Sequence, residues 1–543
     1  MESLNKLITQ ALWFAILLLL GTFGAFLLLF LRVIYCWWIS PIRVYRNLRE
    51  NGFGGPTPSF PLGNTSEMRS VGSSTSHNNN NNNNNNNVSH DLHSIVFPHF
   101  ARWRKIYGKV FVYWLGTEPF VYVGDGEFLS RISSGVAGKS WGKPNVFRKD
   151  REPMFGINSL AMVEGEHWVR HRRAITPAFS KTNLKAMAWS MKESTNNMLD
   201  QWTMVNSNIS PFEIDAEREL TALTGEIISK ISFGISYENG QKVFEKLKAL
   251  QAELFKSNRL VGVPFSEFFM NRKQTLKAQK LGKEIDQILL SIIDTRRKSI
   301  KEENNCQGDL LGLLLKANEE NNGDESMEKM LTIRELIDES KTFFFGGHDT
   351  TALSLTWTLL LLALNQDWQT QLREEIRDVI GDGEVNFTSI AGLKKMGWVM
   401  NEVIRLYSPA PNIQRQTRED IKVEENMVIP KGTNIWIDIV GMNHDPCLWG
   451  NDVNEFKPQR FENDVVYGGC KHKMGFVPFG FGGRMCVGRN LSTLEYRIIL
   501  TLILTRFSFT LSPNYRHSPS TLLTLRPTYG LPLLMQPISA THT

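Results

Sequence analysis

An uninterrupted apolar run occupies residues 11–31, ALWFAILLLLGTFGAFLLLFL, and contains no charged side chain. A helix that spans a bilayer needs about 20 predominantly apolar residues, so the run is long enough. A cleaved secretory signal has an apolar region of about 7–15 residues followed by a small-residue cleavage site, and neither feature is present here. The sequence therefore predicts an uncleaved transmembrane anchor, with a cleaved signal as the alternative.

The basic residues around this run are distributed unequally. Lys6 is the only one before it, whereas four arginines follow between residues 32 and 49. Basic residues stay on the cytosolic side of a membrane, so residues 1–10 are expected in the lumen and everything after residue 31 in the cytosol. Trp37 and Trp38 lie where an interfacial aromatic belt is expected.

Composition excludes two broad classes. The 543 residues carry 61 Lys plus Arg against 55 Asp plus Glu, and this small excess does not form the basic footprint of a nucleic-acid binder. Because 42% of the residues are hydrophobic, wholesale disorder is excluded as well. The five cysteines are odd in number and irregularly spaced, which favours a reducing compartment over a disulfide framework.

The domain layout follows from changes in composition. Residues 32–64 form a basic stretch and a Pro/Gly-rich hinge, which we interpret as a turn-rich linker. Residues 65–90 contain a run of asparagines at 78–87, typical of a tolerated loop expansion, with an interaction tract as the alternative. Composition is even from there on, so residues 91–543 are predicted to form one cytosolic domain.

This domain is predicted to be mainly helical. Short strands are expected at Val110–Leu115 and Phe120–Val123. Thr332 and Glu335 have the spacing of a capping box, which predicts that a long helix begins there and continues to about Leu364. A second membrane span is the competing interpretation of that helix, but a charged residue interrupts its apolar stretch and favours a buried core helix.

A glycine-rich turn near the C-terminus, FGFGGRMCVG at 479–488, contains Cys486. A metal-binding thiolate needs positive charge or backbone N–H groups around the sulfur, and Arg484 and the glycine-rich backbone can supply them. The following residues have a helical pattern, so the sulfur would also lie at a helix N-terminus. A buried free cysteine is the plain alternative. A zinc site is a weaker one, because the spacings match no closed Cys/His pattern. Its ligands would be His444, Cys447, Cys470 and His472.

The loop resembles that of the cytochrome P450 haem-thiolate monooxygenases. Their haem loop reads Phe-x-x-Gly-x-Arg-x-Cys-x-Gly, and five fixed positions coincide by chance in about one chain in ten thousand of this length. These positions are filled here by Phe479, Gly482, Arg484, Cys486 and Gly488. The resemblance implies a mainly α fold with small β-sheets, the cytochrome P450 fold, preceded by one N-terminal transmembrane helix.

Four further segments match motifs of this family in the expected order, which extends the resemblance from about residue 40 to the C-terminus. They are Trp168–Arg172, Gly346–Thr351, Glu402–Arg405 and Pro458–Phe461. The segment KTFFFGGHDTTAL at 341–353 resembles plant clan 72. NGFGGPTPSFPLGN at 51–64 and WLGTEPF at 114–120 resemble plant family 715 of that clan.

The resemblance implies a haem site. Cys486 would be the axial ligand of the iron in haem b, and Phe479, Gly482 and Gly488 would shape its loop. Guanidinium groups suit carboxylates, so arginines would hold the haem propionates. The residues implied in this role are Arg484, Trp168, Arg172 and Arg415. Considered singly, the last two arginines would be interpreted as surface residues.

Two further groups of residues have implied roles. Glu402 and Arg405 lie at i and i+3 on one helix face, and Arg460 would be the further partner that a buried pair requires, which makes the three structural. Asp349 and Thr350 would deliver protons to bound dioxygen. The alternative for Thr350 is a hydroxyl that bonds back to its own helix.

The resemblance implies a membrane-anchored monooxygenase of the endoplasmic reticulum. It would use dioxygen and electrons from NADPH, delivered by NADPH–cytochrome P450 reductase, to hydroxylate a hydrophobic small molecule such as a plant hormone or a terpenoid. A basic surface near the cysteine would receive the reductase, with an ordinary solvated face as the alternative. Its members would be Lys471, Lys473, Arg489 and the Arg170–Arg173 cluster. Other functions left open are a haem-thiolate isomerase or dehydratase acting on hydroperoxides, and a non-catalytic, membrane-tethered haem-binding protein.

Overall fold

The computed structural model describes residues 2–70, 88–134, 138–205, 210–235, 237–255, 260–266, 272–303, 309–319, 331–425 and 427–538. The asparagine run at 78–87 and Cys306 lie outside the described residues. The α-helices are α1 Glu2–Ile34, α2 Ser40–Glu50, α3 Leu92–Val96, α4 Pro98–Tyr107, α5 Gly126–Ser133, α6 Arg148–Phe155, α7 Gly165–Ile175, α8 Lys181–Val205, α9 Ala216–Phe233, α10 Tyr237–Leu254, α11 Arg272–Glu303, α12 Leu310–Glu319, α13 Ile333–Leu364, α14 Gln366–Val379, α15 Lys394–Leu406, α16 Ile439–Asn443, α17 Pro446–Trp449 and α18 Arg489–Arg506.

The strands are short and form four sheets among the described residues. They are β1 Val110–Leu115, β2 Glu118–Val123, β3 Trp141–Gly142, β4 Phe212–Asp215, β5 Asn412–Thr417, β6 Ile421–Glu424, β7 Met427–Ile429, β8 Asn434–Asp438, β9 Phe507–Leu511, β10 Pro519–Thr521, β11 Leu525–Pro527 and β12 Pro532–Pro537. The largest sheet has the order β1-β2-β8-β5-β3. Its β5 lies antiparallel to β8, with Ile413 opposite Ile437. Both strands predicted near the start of the domain are present, the second beginning at Glu118.

The N-terminus is one long helix. A π-helical stretch, Tyr35–Ile39, joins α1 to α2 without a break. The segment Leu4–Glu50 is long and apolar enough to cross a membrane, and its apolar side chains are exposed. Such a helix is compatible with the predicted anchor, because leucines exposed along the length of a helix are stabilised by an apolar environment such as a membrane.

The central helix of the domain is α13. Thr332 caps it, since its side chain accepts from the Glu335 amide and the Glu335 carboxylate accepts from the Thr332 amide. A cap of this kind contributes about 1 kcal/mol. Its apolar side chains are buried, and Phe344 stacks on Phe233 of α9 with ring centroids 4.3 Å apart. The prediction of a buried core helix is therefore confirmed, and the alternative of a second membrane span is not supported.

The Pro/Gly-rich segment before the domain packs against the first sheet. Val112 donates its amide to Gly54 O at 2.8 Å, and Trp114 donates its amide to Asn64 Oδ1 at 2.9 Å. Gly63 has φ of +64°, and a Cβ there would lie 2.6 Å from the Trp114 carbonyl oxygen, so only glycine fits. The segment that we interpreted as a linker therefore forms an extra layer on β1.

Candidate active site

Cys486 lies in a tight loop between Phe479 and the start of α18. The Cys486 amide donates to Phe479 O at 2.8 Å, which closes the loop. Gly482 has φ of +61°, and a Cβ built on it would meet nothing within 4 Å. The amides of Gly488 and Arg489 both donate to the Cys486 sulfur. The loop and the helix N-terminus thus direct N–H groups at the sulfur, as the sequence predicts.

The charge nearest the sulfur belongs to α7. Arg172 donates Nη1 to Met485 O at 2.8 Å, which places its guanidinium beside the cysteine loop. Burial raises the pKa of the Cys486 thiol, while the two amides and Arg172 oppose that rise. The sequence suggested Arg484 as the source of positive charge and a depressed pKa, whereas the charge comes from Arg172 and the net direction of the pKa shift is upward. A bound metal cation deprotonates a coordinating thiol outright.

Cys486 borders an internal opening. Its side chain is accessible, yet it lies deep enough in the protein for burial to raise its pKa. On the opposite element, Gly346 is exposed in the middle of the otherwise buried α13, and a Cβ there would meet nothing within 4 Å. Thr351 on α13 and Ser492 on α18 share a hydrogen bond of 3.0 Å, which holds these two elements together. The chain therefore has a thiol facing open space in its core.

Buried cations gather beside this opening. Arg484 donates Nε to Gly138 O at 2.7 Å, and its guanidinium lies 4.9 Å from the ring centre of Trp168. Burial, reinforced by Arg415, lowers the pKa of Arg484 to about 9. Burial and a neighbouring cation likewise lower the pKa of Arg415 to about 10. The sequence named Arg484, Arg415 and Trp168, and the structure brings the two arginines into electrostatic contact.

Two further cations, Lys143 and Arg151, join this group. Burial lowers the pKa of Lys143 well below its usual range, with repulsion from Arg415, Arg151 and Arg484 adding to the effect. None of these four cations has a carboxylate within 4.0 Å among the described residues. The adjacent Glu164 is held by Arg418, with both contacts at 2.6 Å. Motif matching missed Lys143 and Arg151, because no motif position marks them.

This donor set fits a haem. Isolated buried cations are costly unless paired, and a haem carries two propionates that would meet them. Both Gly346 and Cys486 are accessible, a Cβ on Gly346 would meet nothing within 4 Å, and the sulfur would supply a ligand to the iron. A thiol, an opening and unpaired buried cations are therefore found together, as haem-thiolate ligation requires.

The Glu402–Arg405 pair lies on α15, inside the core. Both side chains are completely buried, and Arg405 donates Nε to Glu402 Oε2 at 2.7 Å. Arg460 lies with Nε 3.4 Å from Glu402 Oε1 and donates Nη2 to Asp452 O at 2.6 Å. Arg405 also donates to the carbonyls of Asn443 and Val453. The pair thus has the additional partners that burial demands.

Asp349 is fastened to the C-terminal strands. Arg526 donates Nη2 to Asp349 Oδ1 at 2.8 Å, and Thr524 donates Oγ1 to Asp349 Oδ2 at 2.7 Å. The sequence named neither partner, because they lie about 175 positions away in the chain and belong to no motif. Asp349 therefore holds α13 against β11.

Thr350 points back along its own helix. It donates Oγ1 to Gly346 O at 2.8 Å, the arrangement that we considered as its structural alternative. The side chain is half-buried, and its acceptor is the exposed glycine beside the opening. The hydroxyl is thus next to the open space, with its hydrogen bond made to the helix.

The chain is similar to known proteins over most of its length. The cytochrome P450 family model matches residues 84–533. Cytokinin hydroxylase of Arabidopsis thaliana is 35% identical over 520 residues, covering 94% of this chain and 96% of that protein. Cytochrome P450 714A2 of Arabidopsis thaliana is 32% identical and covers 98% and 99% of the two chains.

A solved structure shares the fold. The retinoic acid-bound structure of cyanobacterial CYP120A1 superposes with a TM-score of 0.68 at 22% identity, covering 83% of this chain and 97% of that one. At this identity the likeness supports the fold alone. Together with the family match and the full-length relatives, it confirms the predicted mainly helical architecture, and the chain belongs to the cytochrome P450 family of haem-thiolate monooxygenases.

Proposed function

We propose that this monooxygenase hydroxylates a hydrophobic plant hormone or terpenoid-like molecule, using dioxygen and electrons from NADPH. The domain layout that we propose has residues 1–10 in the lumen, 11–31 in the membrane of the endoplasmic reticulum, and the catalytic domain in the cytosol. NADPH–cytochrome P450 reductase would supply the electrons. Support for the substrate class comes from the Arabidopsis thaliana cytokinin hydroxylase, a full-length relative.

The observation that carries the proposal is the Cys486 sulfur facing an internal opening. When bound, haem held by the Cys486 thiolate would supply dioxygen activation, because a thiolate ligand favours O–O cleavage. The protein's part is to present that sulfur among the amides of Gly488 and Arg489, and to offer buried cations to the propionates.

The surroundings of the opening suit an apolar substrate. Phe155 of α6 lies edge-to-face on Phe345 of α13, with ring centroids 5.1 Å apart. The Ile413 side chain reaches to 3.9 Å from the position that a Cβ on Gly480 would take, in the cysteine loop. Segments that we propose to line the pocket are 146–162, 343–345, 412–413 and 522–523. The fifth proposed segment, 255–269, lies partly outside the described residues.

Proton delivery is the proposed role of Asp349 and Thr350. The Thr350 hydroxyl donates to the carbonyl of the exposed Gly346, beside which a water would be held. Asp349 is buried and bound to Arg526, so it would act after rearrangement or through Thr524. In the resting geometry, Thr350 is the member of the pair beside the open space.

The proposed reductase surface is smaller than the sequence suggested. Lys471, Lys473, Arg173 and Arg489 are exposed. Arg170 turns inward and pairs with Glu335, while Arg172 binds the cysteine loop. The exposed cations therefore carry the complementarity to an acidic partner that we propose.

The full-length protein, reconstituted with the reductase in lipid, tests the proposal. Binding of plant hormones and terpenoids is screened by haem difference spectra, and each binder is then incubated with NADPH and dioxygen. We expect a hydroxylated product with NADPH consumption that depends on both reductase and substrate. Rearrangement of a hydroperoxide without NADPH would indicate the isomerase or dehydratase, and binding without any turnover would indicate the haem-binding protein.

A further inference from the structure

Arg151 connects α6 to the strand that borders the cysteine loop. Its Nη2 donates to Gln414 Oε1 on β5, and its guanidinium lies 4.7 Å from the ring centre of Phe147. Four residues further along α6, Phe155 packs on Phe345 of the central helix. Arg151 therefore lies on a helix that contacts both β5 and α13.

The charges around Arg151 do not balance. Burial lowers its pKa to about 10, and the charge of Asp150, next to it in the chain, opposes this shift. Gln414 is neutral, and its own amide donates to Asn412 Oδ1 at 3.0 Å. The facing groups, Lys143 and Arg415, are cations. Within the described residues, Arg151 thus keeps most of its five N–H donors without an acceptor.

The propionates of a haem would neutralise only part of this excess positive charge. Four buried cations, Lys143, Arg151, Arg415 and Arg484, repel one another, and the nearby Glu164 is neutralised by Arg418. Two propionates neutralise two charges. Arg484, a member of the cysteine loop, already donates to the carbonyls of Gly138 and Val163, and Arg415 is more buried than Arg151. Arg151 is half-buried and lies on α6, the helix that packs on α13 through Phe155 and Phe345, so it belongs to an element of the proposed substrate pocket.

We propose that Arg151, positioned by Gln414, binds an oxyanion group, a carboxylate or phosphate, on the substrate. The proposal rests on the proposed hydroxylation of a small hydrophobic molecule and refines it to one with an acidic group. A guanidinium fork matches either oxyanion with two parallel hydrogen bonds, which fixes orientation as well as affinity. The aromatic side chains of α6 and α13 would then contact the apolar part of the same molecule.

The test uses ω-(imidazol-1-yl)alkanoic acids of graded chain length and their methyl esters, titrated into the full-length holoenzyme. The imidazole coordinates the ferric haem and reports binding as a difference spectrum, so turnover is not needed. At the chain length that reaches Arg151, the acid is expected to bind about 10- to 100-fold more tightly than its ester. Arg151→Gln should remove this preference, and Arg151→Lys should retain part of it.

Arg148→Gln is the matched control, because it removes an exposed positive charge from the same helix. It should leave the acid preference intact. Equal affinity of acid and ester at every chain length in the parent protein would overturn the proposal. So would a loss of bound haem in Arg151→Gln, which would assign this arginine to a propionate. Absence of haem from the purified full-length protein would instead refute the proposed haem site itself.

Discussion

Arg526 Nη2 lies 2.8 Å from Asp349 Oδ1, joining the last strands of the chain to the middle of its central helix. Both side chains are largely buried. Because a buried ion that loses its partner is strongly destabilising, this contact contributes to stability as well as fastening Asp349 of α13 to β11.

Arg526→Gln is therefore expected to lower the free energy of unfolding by about 3–5 kcal/mol, since it leaves a buried carboxylate without its cation. Denaturant unfolding of the detergent-solubilised protein measures the change. Arg526→Lys, which keeps the charge, should lose less. A change in Arg526→Gln within about 0.5 kcal/mol, as for a surface substitution, would contradict a buried ion pair.

Cys486→Ala should abolish the red-shifted Soret band of the reduced carbon monoxide complex, because a thiolate opposite carbon monoxide produces that band. Cys447→Ala and Cys470→Ala serve as matched controls and should leave it unchanged. Loss of the band in either control, with retention in Cys486→Ala, would show that the ligand is assigned to the wrong cysteine.

Thr350→Ala should preserve haem incorporation, carbon monoxide binding and substrate affinity, since its hydroxyl bonds only to Gly346 O among the described residues. Coupling should fall, with hydrogen peroxide released in place of product, within the range of about 10²–10⁴-fold that general acid assistance supplies. NADPH, peroxide and product are measured together in the reconstituted system. Thr350→Ser is the control that keeps the hydroxyl. Unchanged product per NADPH in Thr350→Ala would restore its purely structural interpretation.

Deleting residues 1–40 should release the protein from microsomes with its haem retained, because the proposed haem contacts lie far beyond that segment. The deletion also removes the hydrogen bond from Trp37 Nε1 to Pro264 O, 3.2 Å long. A shorter deletion of residues 1–31 keeps Trp37 and provides the comparison. Continued tight sedimentation of both would point to a second membrane surface near Pro264.

Stability should fall in acid through Glu335. Burial raises its pKa, but hydrogen bonds from Arg170, the Thr332 amide and His171 outweigh that effect and lower it to about 2. Because the folded-state pKa lies below the unfolded one, the stabilisation is present above about pH 4.5 and declines as the pH falls toward 2, by about 1–3 kcal/mol. Glu335→Gln should flatten this part of the unfolding profile. The exposed Glu374→Gln should not, and equal flattening by both would exclude Glu335 as the cause.

Much of the architecture was predictable from short-range patterns. Three features depend only on residues that are near one another in the chain: the apolar run, the capping box of Thr332 and Glu335, and the strand at Val110–Leu115. Local sequence patterns therefore specify them. The cysteine loop was identified through its resemblance to the haem-loop motif of the family, whose fixed positions lie close together in the chain and include Cys486.

The charge partners could not be read in this way. Arg172 supplies the charge beside the Cys486 sulfur, although it donates to Met485 O from 313 positions away in the chain. Asp349 finds Arg526 across 177 positions, and Arg151 reaches Gln414 across 263. Which cation faces which acceptor depends on the packing of α6, α7 and the small sheets around α13. Local patterns thus account for the helices, strands and ligand loop. Long-range packing selects the electrostatic partners, because an unpaired charge is strongly destabilising only in the low-dielectric interior that this packing creates.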